Sequence, residues 1–164
     1  MVLPAAAQRV AEALRRSGYT GDVVQLSVST RSAADAARAV GCDVARIAKS
    51  LVFRAASGQP LLVITSGAHR VDESALGERL GETLERAEAE FVREHTGFAI
   101  GGVPPLGHPT RLRTVIDRDL MMHATIWAAA GTPSALFEVA PGDLARMTGA
   151  EVIQVTPPDP PGAA

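Results

Sequence analysis

Two apolar runs joined by a short polar turn constrain this chain more than any other stretch. Ile47-Ala48-Lys49-Ser50-Leu51-Val52-Phe53 and Leu61-Leu62-Val63-Ile64-Thr65 are mostly aliphatic, β-branched or aromatic, with little polar alternation. Runs of that kind read as strands covered on both faces. Ser57-Gly58-Gln59-Pro60 between them has turn chemistry, so residues 48–65 are expected to form a hairpin, with Ser66 and Gly67 ending it. A hairpin buried on both faces belongs in the middle of a sheet with other layers around it.

The rest of the chain supplies those layers. Residues 4–17 set Val10, Ala13 and Leu14 on one face, with Pro4 at the first turn and Gly18 past the end, the pattern of an amphipathic helix. Val23 to Val28 reads as a strand. Ser32 caps an expected helix over 33–40 stopped by Gly41, and Asp43 a short helical turn. Further helices are expected from Asp72 to Leu80, Glu88 to His95 and over 142–148, with Leu84-Glu85-Arg86 as a possible short strand. Strands are expected at Leu112–Ile116, Thr125–Ala129, Ala135–Val139 and Val152–Val155. Hairpins coexist with helical crossovers, which predicts one α/β domain with a mixed, barrel-like central sheet flanked by helices. Residues 1–156 form that domain, and the proline-rich 157–164 form a flexible tail.

Composition narrows the function. At 164 residues the chain suits a single domain with a substantial core. Its net charge of −2, with no Lys/Arg block, argues against non-specific binding of duplex DNA but leaves room for a local positive pocket holding a single-stranded end. Cys42 is the only cysteine, and no Cys/His spacing suits a zinc site. Residues 4–15 are broken by Gln8, Arg9 and Glu12 and do not make a signal peptide, and no apolar run approaches a membrane span, so a cytoplasmic protein is expected. Fifteen of the sixteen basic residues are arginine, and Lys49 is the only lysine. An ammonium is a compact point charge, not interchangeable with the planar guanidinium. One lysine kept at the start of a buried strand therefore reads either as a snorkelling strand-end residue or as a cleft residue that holds a phosphate or carboxylate.

Three glycine-bearing stretches are candidate ligand loops: 65–67, 101–109 and Gly131-Thr132-Pro133-Ser134. Glycine lets a ligand approach the backbone, and free amides bind phosphate or a developing oxyanion; each stretch taken alone also fits a plain tight turn. There is no GxGxxG and no GxxxxGK[ST], which removes the dinucleotide and P-loop readings. His69, His95, His108 and His123 are not at metal-ligand spacing, Asp117 and Asp119 read as turn or capping residues, and no nucleophile elbow surrounds Ser50 or Ser66.

Three segments together resemble the YbaK/EbsC family: Val44-Ala45-Arg46-Ile47-Ala48-Lys49-Ser50-Leu51-Val52-Phe53, then Thr96-Gly97-Phe98-Ala99-Ile100-Gly101-Gly102-Val103-Pro104-Pro105-Leu106-Gly107-His108, then Gly131-Thr132-Pro133. That family comprises free-standing relatives of the editing domain inserted in bacterial prolyl-tRNA synthetases, and the resemblance spans residues 22–155. It implies hydrolysis of the ester between a wrong amino acid and tRNA, typically tRNA-Pro, without metal or other cofactor. The partners it implies are the aminoacylated tRNA 3′ end and prolyl-tRNA synthetase. By the same resemblance Lys49 engages the terminal adenosine and its phosphate, and Gly101, Gly102, Val103, Pro104 and Pro105 line the ester. Gly131, with Thr132, belongs to the third loop. A positioned water, not a protein nucleophile, is the implied attacking group. Thr30, Ser32, Ala34 and Ile47 are expected to wall a small amino-acid pocket, with Ser50, Ser66 and Gly67 beside it.

One departure bears on the substrate. Family members acting on cysteinyl-tRNA carry an acidic residue a few positions after the third-loop glycine, where this chain has Ser134-Ala135-Leu136-Phe137. The resemblance therefore leans towards alanine or 2-aminobutyrate, then serine and threonine. The alternatives are a non-catalytic module that holds tRNA ends or a synthetase, a deacylase for Ser/Thr/Cys-tRNA, and Schiff-base chemistry at Lys49, for which no cofactor signature exists.

Overall fold

A computed structural model describes residues 2–161. Helix α1 (Ala5–Arg16) buries Ala7, Val10 and Leu14, the three- and four-residue spacing of one helical face. Strand β1 (Val23–Gln25) is shorter than the expected Val23–Val28. It pairs with β7 (Ala135–Val139) only as far as Ala135, beyond which the partner chain reaches Pro133, which has no N–H to give to a ladder. Leu26 and Thr30 still donate to the carbonyls of Ser134 and Pro133, so the segment stays beside that loop without being a strand.

Helix α2 (Ala33–Val40) starts where Ser32 Oγ accepts from the Asp35 amide and ends at Gly41, whose φ of 75° is the left-handed stop that glycine provides. The Asp43 side chain caps a 3-10 turn (Val44–Arg46) that delivers the chain into β2 (Ile47–Ala55). β2 and β3 (Pro60–Ser66) form the expected antiparallel hairpin, with Lys49 opposite Thr65. Helix α3 (Glu73–Leu80), β4 (Leu84–Arg86) and α4 (Ala89–Thr96) follow, then β5 (Arg113–Asp117), β6 (Ile126–Ala129), β7, α5 (Pro141–Thr148) and β8 (Glu151–Ile153).

All eight strands join one mixed sheet in the order β1-β7-β6-β2-β3-β5-β8, with β4 also paired to β2. The parallel pairs are β2–β6, β3–β5 and β5–β8; the rest are antiparallel. The hairpin sits in the middle, as its apolar character demands. Along β3, Leu62 and Ile64 enter one core with Val10 and Leu14 of α1, Val92 of α4 and Leu144 of α5. Leu61 and Val63 enter a second core, on the other face, with Leu76 of α3 and Val155. Each such side chain contributes roughly 1.5–3 kcal/mol by leaving water. The chain beyond β8 is held at several points: Arg79 donates to the carbonyls of Gln154 and Thr156, Gln154 donates to that of Pro157, and Arg118 pairs with Asp159 at 3.2 Å. Residues 162–164 of the expected tail lie outside the described residues.

Candidate functional site

The sheet has a gap, and the site is built around it. On the β3 side β2 is paired from Ala48 to Arg54. On its other side β6 pairs only Ile47 and Ala48, and β4 only Phe53 to Ala55. Residues 49–52 therefore have a ladder partner on one edge alone, and the open edge faces a cavity of about 340 Å³. The cavity runs along β2 from Ile47 to Phe53. Near Ile47 its walls are Thr30, Ser32, Ala33, Ala36 and Ala129; the remaining wall includes Arg86, Val92, Ile100, Gly101 and Val103.

Lys49 lines this cavity, and its Nζ donates to the carbonyl of His69 at 3.4 Å. Burial holds its pKa below the ordinary lysine value, and the nearby charges of Arg70 and Arg86 push it the same way. Arg31 and Arg86 line the same cavity, so cations gather at its rim. Arg86 is paired with Glu73 at 3.2 Å. Among the described residues no carboxylate, imidazole or thiol lines the cavity. The Ser50 hydroxyl is buried without a hydrogen-bond partner.

The loop after α4 closes the cavity. Gly97 ends the helix with φ 77°, and Thr96 Oγ1 then accepts from the Phe98 amide. Gly101 takes φ 98° with open space where a Cβ would be, so its requirement is conformational. Gly102 has an ordinary φ but no room, because a Cβ there would stand 2.9 Å from the Gly131 carbonyl oxygen. Its N–H donates to the carbonyl of Ala99. The amides of Gly101 and Val103, both cavity-lining residues, have no acceptor among the described residues. Gly131 (φ 98°) is wedged against the Ala6 carbonyl of α1 and the Phe98 ring.

Of the expected site residues, the cavity gathers Lys49, Gly101, Val103, Thr30, Ser32, Ile47 and Ser50. Ala34 is exposed on α2, and Ala33 and Ala36 line the wall in its place. Gly102, Pro104, Pro105, Gly131 and Thr132 stand behind the lining as support. The Pro104 carbonyl accepts from His108 Nε2 at 2.9 Å, and Thr132 Oγ1 accepts from the Ser134 amide. Ser66 and Gly67 also lie behind it. Ser66 Oγ donates to the Ala45 carbonyl and Gly67 N–H to that of Ile47, pinning the entrance of β2.

The network behind Lys49 was not legible from the sequence. Asp117, almost fully buried, accepts through Oδ2 from the Ser66 amide at 3.0 Å and the Thr65 hydroxyl at 3.2 Å. The same oxygen lies 2.8 Å from His69 Nδ1, while Oδ1 caps Asp119. His69, Asp117 and Asp119 bring potential metal-ligating atoms within 4.8 Å of one another; His69 Nδ1 lies on Asp117 Oδ2, and His69 Nε2 is 3.4 Å from Asp119 Oδ2. The network fixes the 66–69 turn, whose carbonyl meets Lys49. No element signal marks it, because its members come from two segments, 65–69 and 117–119, that are distant in the chain.

A cation-rimmed cavity under a glycine/proline loop, lined among the described residues by no carboxylate, imidazole or thiol, is set into the open edge of a mixed sheet in a small α/β domain. The chain belongs to the aminoacyl-tRNA editing domain family, whose model matches residues 28–147. A solved structure of a candidate trans-editing enzyme for prolyl-tRNA synthetase superposes with a TM-score of 0.91 at 45% identity, covering 96% of this chain and all (100%) of that one. YwhH of Bacillus subtilis, an uncharacterized protein, is 29% identical over 80% of this chain and 83% of its own. EbsC of Enterococcus faecalis, named as a candidate Cys-tRNA(Pro)/Cys-tRNA(Cys) deacylase, is 24% identical over 76% of this chain and 77% of its own. No helix among the described residues is long and apolar enough to cross a membrane.

Proposed function

We propose that this chain is an aminoacyl-tRNA deacylase acting in trans. It hydrolyses the ester of mischarged tRNA, with tRNA-Pro carrying alanine or 2-aminobutyrate as the preferred substrate and prolyl-tRNA synthetase as a possible neighbour. The observation that carries the reading is the cavity itself. It joins an ammonium, a glycine-bearing loop and small-residue walls, and among the described residues no carboxylate, imidazole or thiol lines it.

In this reading the amino acid lies towards Thr30, Ser32, Ala33, Ala36 and Ile47, and Lys49 holds the terminal nucleotide through its phosphate. Water adds to the ester carbonyl carbon. The oxyanion is stabilised by the Gly101 and Val103 amides, donors fixed before the reaction starts. Collapse of the tetrahedral species breaks the bond to the ribose oxygen, which takes up the proton released by the attacking water. The products are the free amino acid and tRNA with its terminal hydroxyl restored. Catalysis of this kind rests on placement and fixed dipoles, not on a protein-bound intermediate.

The deciding experiment incubates the purified chain with a panel of mischarged tRNAs, including alanyl-, 2-aminobutyryl-, seryl-, threonyl-, cysteinyl- and prolyl-tRNA-Pro. Turnover of the small esters supports the proposal. Binding without turnover replaces it with a tRNA-end binding module, and preferential loss of cysteine would align the chain with the name carried by EbsC.

A further inference from the structure

A second cleft, more voluminous than the Lys49 cavity, lies elsewhere on the described residues. It measures about 860 Å³ and lies between α1 and the segment 105–112, with Arg9, Arg16 and Arg111 along its walls. Glu12 is its only acidic lining residue, and it faces Arg16 at 3.4 Å. All three arginines are exposed. Arg111 has no acidic partner among the described residues. In a chain of net charge −2 such a concentration is a local feature, not a consequence of composition.

Helix α1 lies before residue 28, where the family match begins, so this wall of the cleft is outside the matched domain. The helix is nevertheless tied to the catalytic loop. Arg9 donates to the Gly97 carbonyl at 3.3 Å and stacks 4.6 Å above the Phe98 ring, and the Ala6 carbonyl abuts Gly131. One segment, 100–112, supplies Ile100, Gly101 and Val103 to the Lys49 cavity and Pro105 to Leu112 to the cleft. Arg9 and Arg16 are seven residues apart, which places them on one helical face about 10 Å apart along the axis. Guanidinium forks on one helical face suit the phosphates of a polynucleotide strand.

We propose that the α1 cleft is an RNA-backbone groove that holds the phosphates of the tRNA acceptor strand while its 3′ end occupies the Lys49 cavity. This rests on the deacylase reading for the identity of the RNA. Charge favours RNA over a protein partner here, since three exposed guanidinium groups border the cleft and its one acidic lining residue, Glu12, is already paired.

The test pairs two substrates with one variant. In Arg16→Glu/Arg111→Glu neither altered residue touches the Lys49 cavity. On mischarged full-length tRNA, kcat/KM should fall at least tenfold, mainly through KM. On an aminoacylated CCA trinucleotide, which is too short to reach α1, it should match the parent chain. The dependence of log affinity for uncharged tRNA on log salt should flatten by roughly 0.7–0.9 per lost phosphate contact. Equal losses on both substrates, or unchanged affinity for tRNA, would overturn the groove. A loss that appears only when a synthetase is added would reassign the cleft to that protein. If the parent chain cleaves neither substrate, the deacylase reading fails instead, and the binding measurement on uncharged tRNA still decides the groove. Melting temperatures, with Arg16→Gln/Arg111→Gln as a milder pair, separate misfolding from lost contacts.

Discussion

Gly102 and Gly131 meet with no room for a side chain between them: a Cβ on Gly102 would lie 2.9 Å from the Gly131 carbonyl oxygen. The second and third glycine loops are therefore one unit, and the N–H of Gly102 is spent inside it, on Ala99. Its contribution is to position Gly101 and Val103.

Substitution of Gly102 should reveal that. Gly102→Val forces the two loops apart and is expected to lower kcat by 10²–10³-fold, the scale of losing an oxyanion donor. Gly101→Ala, strained only by its positive φ, should cost ~1–2 kcal/mol of local stability and a smaller share of activity. Single-turnover deacylation of both variants checks this. Parental rates in Gly102→Val would reduce the loop to a plain turn.

Lys49→Ala should remove most deacylation while the fold persists, because the side chain reaches into the cavity and not into either core. Lys49→Arg should also be poor, since a planar fork does not replace a point charge beside Arg70 and Arg86. The pH response carries a sign that can be checked. The folded pKa lies below the ordinary value of 10.5, so between the two the unfolded chain binds more protons and stability rises with pH. Activity should fall over the same window as the ammonium is lost. Lys49→Met should abolish both trends in parallel denaturation and rate profiles, and survival of either would remove Lys49 as their source.

Asp117→Ala leaves the Ser66 amide and the Thr65 hydroxyl without their acceptor in a buried place. About 1–3 kcal/mol is expected for each orphaned donor, together with a drop in kcat as the 66–69 turn loosens behind Lys49. Urea denaturation and rates measured on the same preparation test it. An unchanged denaturation midpoint would mean that the network is unimportant.

Substrate choice should follow size. The cavity wall includes Ala33, Ala36 and Ala129, and that end should admit alanine or 2-aminobutyrate more readily than the wider pyrrolidine ring. A methylene alone discriminates by ~1–3 kcal/mol, and steric exclusion adds to that. Ala36→Leu should therefore depress 2-aminobutyryl-tRNA cleavage more than alanyl-tRNA cleavage. Prolyl-tRNA cleaved as fast as alanyl-tRNA would end the size argument.

The sequence by itself determined what local chemistry determines. The apolar runs at 47–53 and 61–65 had to be central strands, because no other position buries both faces. Ser32, Asp43 and Asp72 had to start helical turns, because each side chain can accept from an amide two or three residues on. The lone lysine and the glycine/proline loop were equally legible, since each departs from what the rest of the chain uses. What only the tertiary structure decided were relations between distant segments. Ala33 and Ala36, not Ala34, face the cavity because of how α2 is rotated against β2. The open edge at 49–52 exists because β6 stops pairing at Ala48 and β4 starts only at Phe53. Asp117 became a hub because parallel pairing of β3 and β5 ends beside the 66–69 turn. Spacing along a chain carries no record of such meetings; they are set by register and packing, which exist only once the sheet has formed.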